Sequence, residues 1–132
     1  MIGVDTNVLV RYLVGDDLQQ SRLSKNVFNS FSTYEPGFIS REVMIETVWV
    51  LERAYKISRS HIGAVIEGLL AAEELKIEQS GDVAWVLRRY LESKLGFADL
   101  MIARAGQRQG CTVTVTFDKG AVGIEGMKLI DG

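Results

Sequence analysis

The sequence predicts a protein of the α/β class, a sandwich of helices around a mainly parallel sheet. Three observations carry that expectation. Short apolar or β-branched runs alternate with longer helical stretches along the whole chain, and strands alternating with helices build parallel sheets. The 132 residues, 47% of them apolar, suffice for one core and so for one domain spanning residues 1–132. A single proline and the lack of any low-complexity run argue against disorder.

The elements follow in order. Residues 2–5 (Ile-Gly-Val-Asp) read as a short buried strand. Thr6 to Val14 reads as a helix that Asp5 or Thr6 can cap, stopped by Gly15-Asp16-Asp17. Asp16 or Asp17 starts the next helix, to about Phe31. Gly37-Phe38-Ile39 is a second strand. Ser40 caps a helix from Arg41 to Tyr55, and Ser58 caps another to about Ala72. Leu75-Lys76-Ile77 is a third strand. Asp82 begins a helix to about Leu95, Gly96 breaks it, and Phe97 to Gln109 forms the next, closed by Gly110. Thr112 to Phe117 is β-branched and aromatic, hence a strand, and Met127 to Ile130 is the last.

Composition narrows the function. Fifteen Lys and Arg against 17 Asp and Glu leave a net charge of −2, which excludes a protein that coats nucleic acid through bulk positive charge. The one cysteine, Cys111, allows no internal disulfide and reads as a buried thiol beside the fourth strand. The N-terminus lacks the basic and apolar regions of a signal peptide. No apolar run approaches the roughly 20 residues of a membrane span. A soluble, cytoplasmic protein with no membrane contact is expected.

Most acids, among them Asp16, Asp17, Glu73, Glu74, Glu78 and Asp131, sit in polar surroundings and read as solvated charges. Four differ because apolar residues flank them closely. Asp5 and Asp118 each end an apolar strand, and in such sheets functional groups gather beyond the carboxyl ends of the strands. Each also has a plainer role available, as a helix cap and as a turn residue. Asp99 stands in the first turn of an apolar helix, between Phe97 and Ile102. Interaction with the helix dipole, worth roughly 0.3–1 kcal/mol, accounts for an acid there but not for its apolar setting. Glu46 lies on a helix that is apolar nearly all round, sharing a face with Val43, Trp49 and Val50, so burial is expected. A buried Glu46 needs a partner such as Arg53 or Arg11, and Glu42, one turn earlier, is its rival. Thr116 shares a strand face with Asp118, and its hydroxyl can bond a ligand water or a phosphate.

If the four acids converge, their repulsion demands a cation, and oxygen-only ligands select a hard ion such as Mg²⁺ or Mn²⁺. The one histidine, His61, sits on a polar helix start, and no Cys/His pattern suggests zinc. Carboxylate-held Mg²⁺ commonly meets a phosphate substrate, which points to metal-assisted phosphodiester chemistry.

Four segments then resemble one known family in its own order. Val4-Asp5-Thr6-Asn7-Val8-Leu9-Val10 looks like the opening of PIN domains. Ile45-Glu46-Thr47-Val48-Trp49-Val50-Leu51 looks like their second acidic motif. Gly96-Phe97-Ala98-Asp99-Leu100-Met101-Ile102-Ala103 resembles the third, and Val115-Thr116-Phe117-Asp118-Lys119 the fourth. The compact length is similar to that of VapC-type toxins of toxin–antitoxin pairs. The resemblance implies a three-layer α/β/α sandwich with strand order 3-2-1-4-5. It also implies a metal-dependent endoribonuclease in which Asp5, Glu46, Asp99 and Asp118 bind Mg²⁺ or Mn²⁺, supported by Asn7 and Thr116. A metal-activated water would cut RNA to a 5′-phosphate and a 3′-hydroxyl. A homodimer and a cognate antitoxin, whose tail inserts into the site, are implied as partners. After Asp118 the chain departs from the family, running Lys119-Gly120-Ala121-Val122-Gly123 where further basic residues are common. Arg11, Arg41, Arg104 and Lys119 are the candidates for phosphate contact, each equally readable as solvated surface charge.

Two other readings remain open. One is an inactive PIN-like binding module. The other is a phosphatase-like α/β protein, against which stand Asn7 where a second Asp would be needed and the lack of a phosphate-cradling Gly-rich loop. RNA rather than DNA rests on the resemblance alone.

Overall fold

The computed structural model describes residues 1–130; Asp131, expected as a solvated acid, lies outside them. The chain forms two compact units, Met1–Ser80 and Gly81–Gly132.

In the first unit, β1 (Ile2–Gly3), β2 (Gly37–Ile39) and β3 (Leu75–Ile77) form a parallel ladder in the order β1-β2-β3. Val4 extends β1, its amide donating to the Phe38 carbonyl at 2.9 Å. Helices α1 (Thr6–Val14), α2 (Leu18–Asn29), α3 (Arg41–Arg53) and α4 (Arg59–Ala71) connect the strands. Their starts are set by caps that satisfy orphan amides: Asp5 accepts from Thr6, Asp17 from Gln20, Ser40 from Val43 and Ser58 from His61. Gly15, at φ 72°, ends α1 in the left-handed conformation that glycine adopts without penalty. The core gathers Leu9, Val10, Ile39, Met44, Val48, Leu51, Ile62 and Ile66, all nearly inaccessible. Burial of each such side chain stabilises the fold by about 1.5–3 kcal/mol before entropy.

The burial of α3 differs from expectation. It buries Met44, Thr47, Val48 and Leu51, leaving Glu46 exposed and Trp49 55% exposed. The helix is apolar on nearly every side, so periodicity alone could not select the inward face. Packing took the Met44–Val48–Leu51 stripe and brought Thr47 in with it.

The second unit holds α5 (Ser80–Glu92), α6 (Phe97–Arg108), β4 (Thr114–Thr116), a 3-10 turn (Lys119–Ala121) and β5 (Met127–Leu129). β4 and β5 pair in parallel, and the Ile130 amide extends the ladder to the Thr116 carbonyl at 2.8 Å. All described strand pairs are thus parallel, as the α/β reading requires, and the two ladders match the 3-2-1 and 4-5 portions of the implied order. The fourth strand is shorter than Thr112 to Phe117, and Cys111 lies outside it, exposed rather than buried. Gly110 turns the chain after α6 at φ 86°, and the ladder starts only at Thr114.

Helix α6 has two working sides. Phe97, Leu100 and Met101 are buried, and Phe97 meets Tyr90 of α5 edge to face at 5.6 Å. On another side Gly106 lies under β4, where a Cβ would come within 2.4 Å of Thr114 Oγ1, so any other residue would force the Thr114 side chain or the helix to shift.

Candidate metal centre

Asp118 sits where β4 ends, held from both sides. Its amide donates to Thr116 Oγ1 at 3.0 Å, and its Oδ1 accepts from the Gly120 amide at 2.8 Å. Thr116 therefore orients the backbone of Asp118, and one carboxylate oxygen is left without a protein donor among the described residues. Asp99 stands in the first turn of α6, whose N-cap, Gly96, offers no side chain. Two close approaches make room for these acids. A Cβ on Gly96 would lie 3.1 Å from Asp99 Oδ2, and one on Gly120 would lie 3.1 Å from Asp118 Oδ1.

Burial raises the pKa of Asp99 above the ordinary carboxylate value, and the charge of Asp118 raises it further. A helix start would favour ionisation, so desolvation and the second carboxylate prevail over it. No cation pairs with Asp99 or Asp118 among the described residues. The pair has the donor chemistry of a hard divalent ion: oxygen ligands only, Asp99 half-buried and Asp118 exposed, with repulsion that a cation would relieve.

The other two candidates lie in the first unit. Asp5 is exposed and caps α1, its Oδ1 accepting from the Thr6 amide at 2.8 Å, which leaves its second oxygen uncommitted. Glu46 is exposed on α3 and has no ion pair or hydrogen bond among the described residues. Neither expected partner takes it: Arg11 binds Asp16, Gln20 and Tyr55, and Arg53 stacks over Trp49 at 5.8 Å. Glu42 is exposed as well, so burial does not separate it from Glu46. Asn7 is exposed and lines a pocket with Val8, Arg11 and Leu23. Among the described residues no group of three or more His, Cys, Asp or Glu is arranged to hold a metal ion.

The basic candidates divide. Arg11 is held by Asp16 at 2.9 Å, and Arg41 donates to Gln79 at 2.7 Å. Arg104 is bound to Asp82 and Gln107. Lys119 is exposed and has no partner among the described residues.

Sequence reasoning read Asp82 only as a helix start. It is 1% exposed and accepts from Arg104 Nε at 3.1 Å, from Arg108 Nε at 2.7 Å and from the Arg108 terminal nitrogen. Those guanidinium groups hold its carboxyl below the usual carboxylate range, Arg108 most strongly. A signal was present: Asp82 and Val86 share one helix stripe, and Arg104 and Arg108 stand four apart on the next helix.

With an α/β fold of parallel strands and acids at strand ends in place, comparison with known proteins defines the class. The PIN domain model matches residues 2–125, and the chain belongs to the PIN domain family. Among relatives it is similar to the VapC ribonuclease of Aquifex aeolicus (strain VF5), with 26% identity over 116 residues, covering 88% of this chain and 86% of that protein. No described helix is long and apolar enough to cross a membrane.

Proposed function

We propose that this chain is a Mg²⁺- or Mn²⁺-dependent endoribonuclease, the toxin of a toxin–antitoxin pair, and that Asp5, Glu46, Asp99 and Asp118 hold the metal. The observation that carries the reading is the Asp99–Asp118 pair, a half-buried carboxyl facing a second one with no cationic partner among the described residues. Perturbed acids of this kind concentrate at functional sites. The similarity to a VapC ribonuclease favours RNA as substrate. A family match running across both compact units supports a single working domain over residues 1–132.

In this reading Asp99 and Asp118 bind the cation, and Asp5 and Glu46 contribute their uncommitted oxygens. A divalent ion held there would supply charge neutralisation and lower the pKa of a bound water, so that hydroxide forms near neutral pH as the nucleophile for a phosphodiester. Thr116 fixes the Asp118 backbone, and the Gly120 amide fixes one of its oxygens, so the other is left to take a cation. Asn7 stands as a supporting polar residue beside Asp5. Lys119, next to Asp118, is free to meet a substrate phosphate. The resemblance to VapC-type toxins further supports a homodimer, a cognate antitoxin and action in the cytoplasm.

Cleavage of a panel of RNAs in Mn²⁺, with Asp5→Asn prepared in parallel, tests the reading. Wild type is expected to give products with 5′-phosphates, and the variant to lose them. Equal residual cleavage by both proteins would overturn the assignment, leaving the inactive binding module.

A further inference from the structure

The arginines around Asp82 make an arrangement that the proposed metal centre does not use. Three guanidinium groups converge on one indole and one carboxylate. Arg89 lies 3.5 Å and Arg104 4.6 Å from the Trp85 ring centroid, and Asp82 binds Arg104 and Arg108. The carboxylate is buried, whereas the Arg104 and Arg108 side chains are 28% and 48% exposed. Each guanidinium has five N–H donors in a fixed fork, and Asp82 and Gln107 use only part of them. Arg89 directs one donor to the Trp85 carbonyl at 3.2 Å. The group therefore carries two uncompensated positive charges with orientations already fixed, which lowers the entropy lost when an anion binds.

We propose that Arg89, Arg104 and Arg108, ordered by Trp85 and Asp82, form a second phosphate-contact patch for the RNA backbone, away from the metal centre. The proposal rests on RNA being the substrate. A chain of net charge −2 cannot attract a polyanion in bulk, so local cationic groups must do it. Arg108 follows Asp99 by nine residues, about two and a half turns and about 13 Å along α6, which puts it on the opposite side of that helix. An RNA held at both places must be long enough to pass round α6, and a short oligonucleotide can occupy the metal centre alone. The patch thus selects for length and backbone rather than for base sequence.

Binding is measured in EDTA, so that no cleavage intervenes, on a long and a short single-stranded RNA across a salt titration. Arg89 has no bond to Asp82, so Arg89→Gln leaves the buried ion pairs intact. It is expected to weaken the long RNA only and to flatten its log–log salt slope by about 0.7 per lost contact. Arg89→Lys restores most of the slope, and polyglutamate fails to compete. An unchanged slope, an equal loss on both RNAs, equal competition by polyglutamate, or no binding by wild type overturns the patch. If the slope behaves as expected but no RNA is ever cut, the ribonuclease reading fails and the patch stands; cleavage with an unchanged slope gives the reverse.

Discussion

Asp82 and Asp99 belong to one compact unit and carry the same side chain, yet their surroundings push them in opposite directions. Asp82 is fully buried and held ionised by two guanidinium groups. Asp99 is half-buried beside Asp118 and pushed toward the protonated form. The first is electrostatically complete as an acid, its charge met by two guanidinium groups. The second lacks a counter-charge that the described residues do not provide. Burial of an acid therefore says little about function until its partners are counted, and the uncompensated acid is the one that points to a ligand.

The contrast can be broken most sharply by exchanging each acid for its amide. Asp99→Asn is expected to fold normally and to lose metal-dependent RNA cleavage by more than the roughly 10–100-fold that an outer-shell change costs. Cleavage rates at matched Mn²⁺ check this, and near wild-type activity would remove Asp99 from the site.

Asp82→Asn should do the reverse, leaving the metal pair in place while costing about 1.5–3 kcal/mol of stability, the value of hydrogen bonds to charged groups. Denaturant titrations read that loss. Its pH dependence has a definite sign. The folded-state pKa is depressed, so the contribution of Asp82 is present above the ordinary carboxylate range and lost as pH falls through the depressed value. The gap between variant and wild type should shrink in acid.

The smallest effect sharpens the comparison most. The folded-state pKa of Asp99 is raised, so its favourable contribution exists below the ordinary carboxylate range and is lost as pH rises through the raised value. In EDTA at neutral pH, Asp99→Asn should therefore melt slightly above wild type, with the difference vanishing in acid. A lower melting temperature for the variant at neutral pH would show that Asp99 is compensated after all.

Much of the fold was legible because local chemistry fixed it. Asp5, Asp17, Ser40 and Ser58 mark helix starts by capping, a local interaction. Leu75–Ile77 was located to the residue. At the candidate site, the strand-end position of Asp118 and the first-turn position of Asp99 could be read directly. The exposure of Glu46 could not, because a helix apolar on most sides carries no code for its inward face. Asp82 escaped notice because its partners lie 22 and 26 residues away on the next helix, and no local pattern announces a pairing across that distance. The two-ladder pairing likewise depends on contacts remote in sequence.

Gly96 and Gly120 have no functional group, yet each leaves the space that a carboxylate fills. Replacing either with alanine would preserve all four acids and still move one of them, since a methyl group at 3.1 Å from a carboxylate oxygen must displace it or be displaced. Part of the proposed chemistry is thus written in vacancies, at positions where the smallest change adds an atom rather than removing a charge.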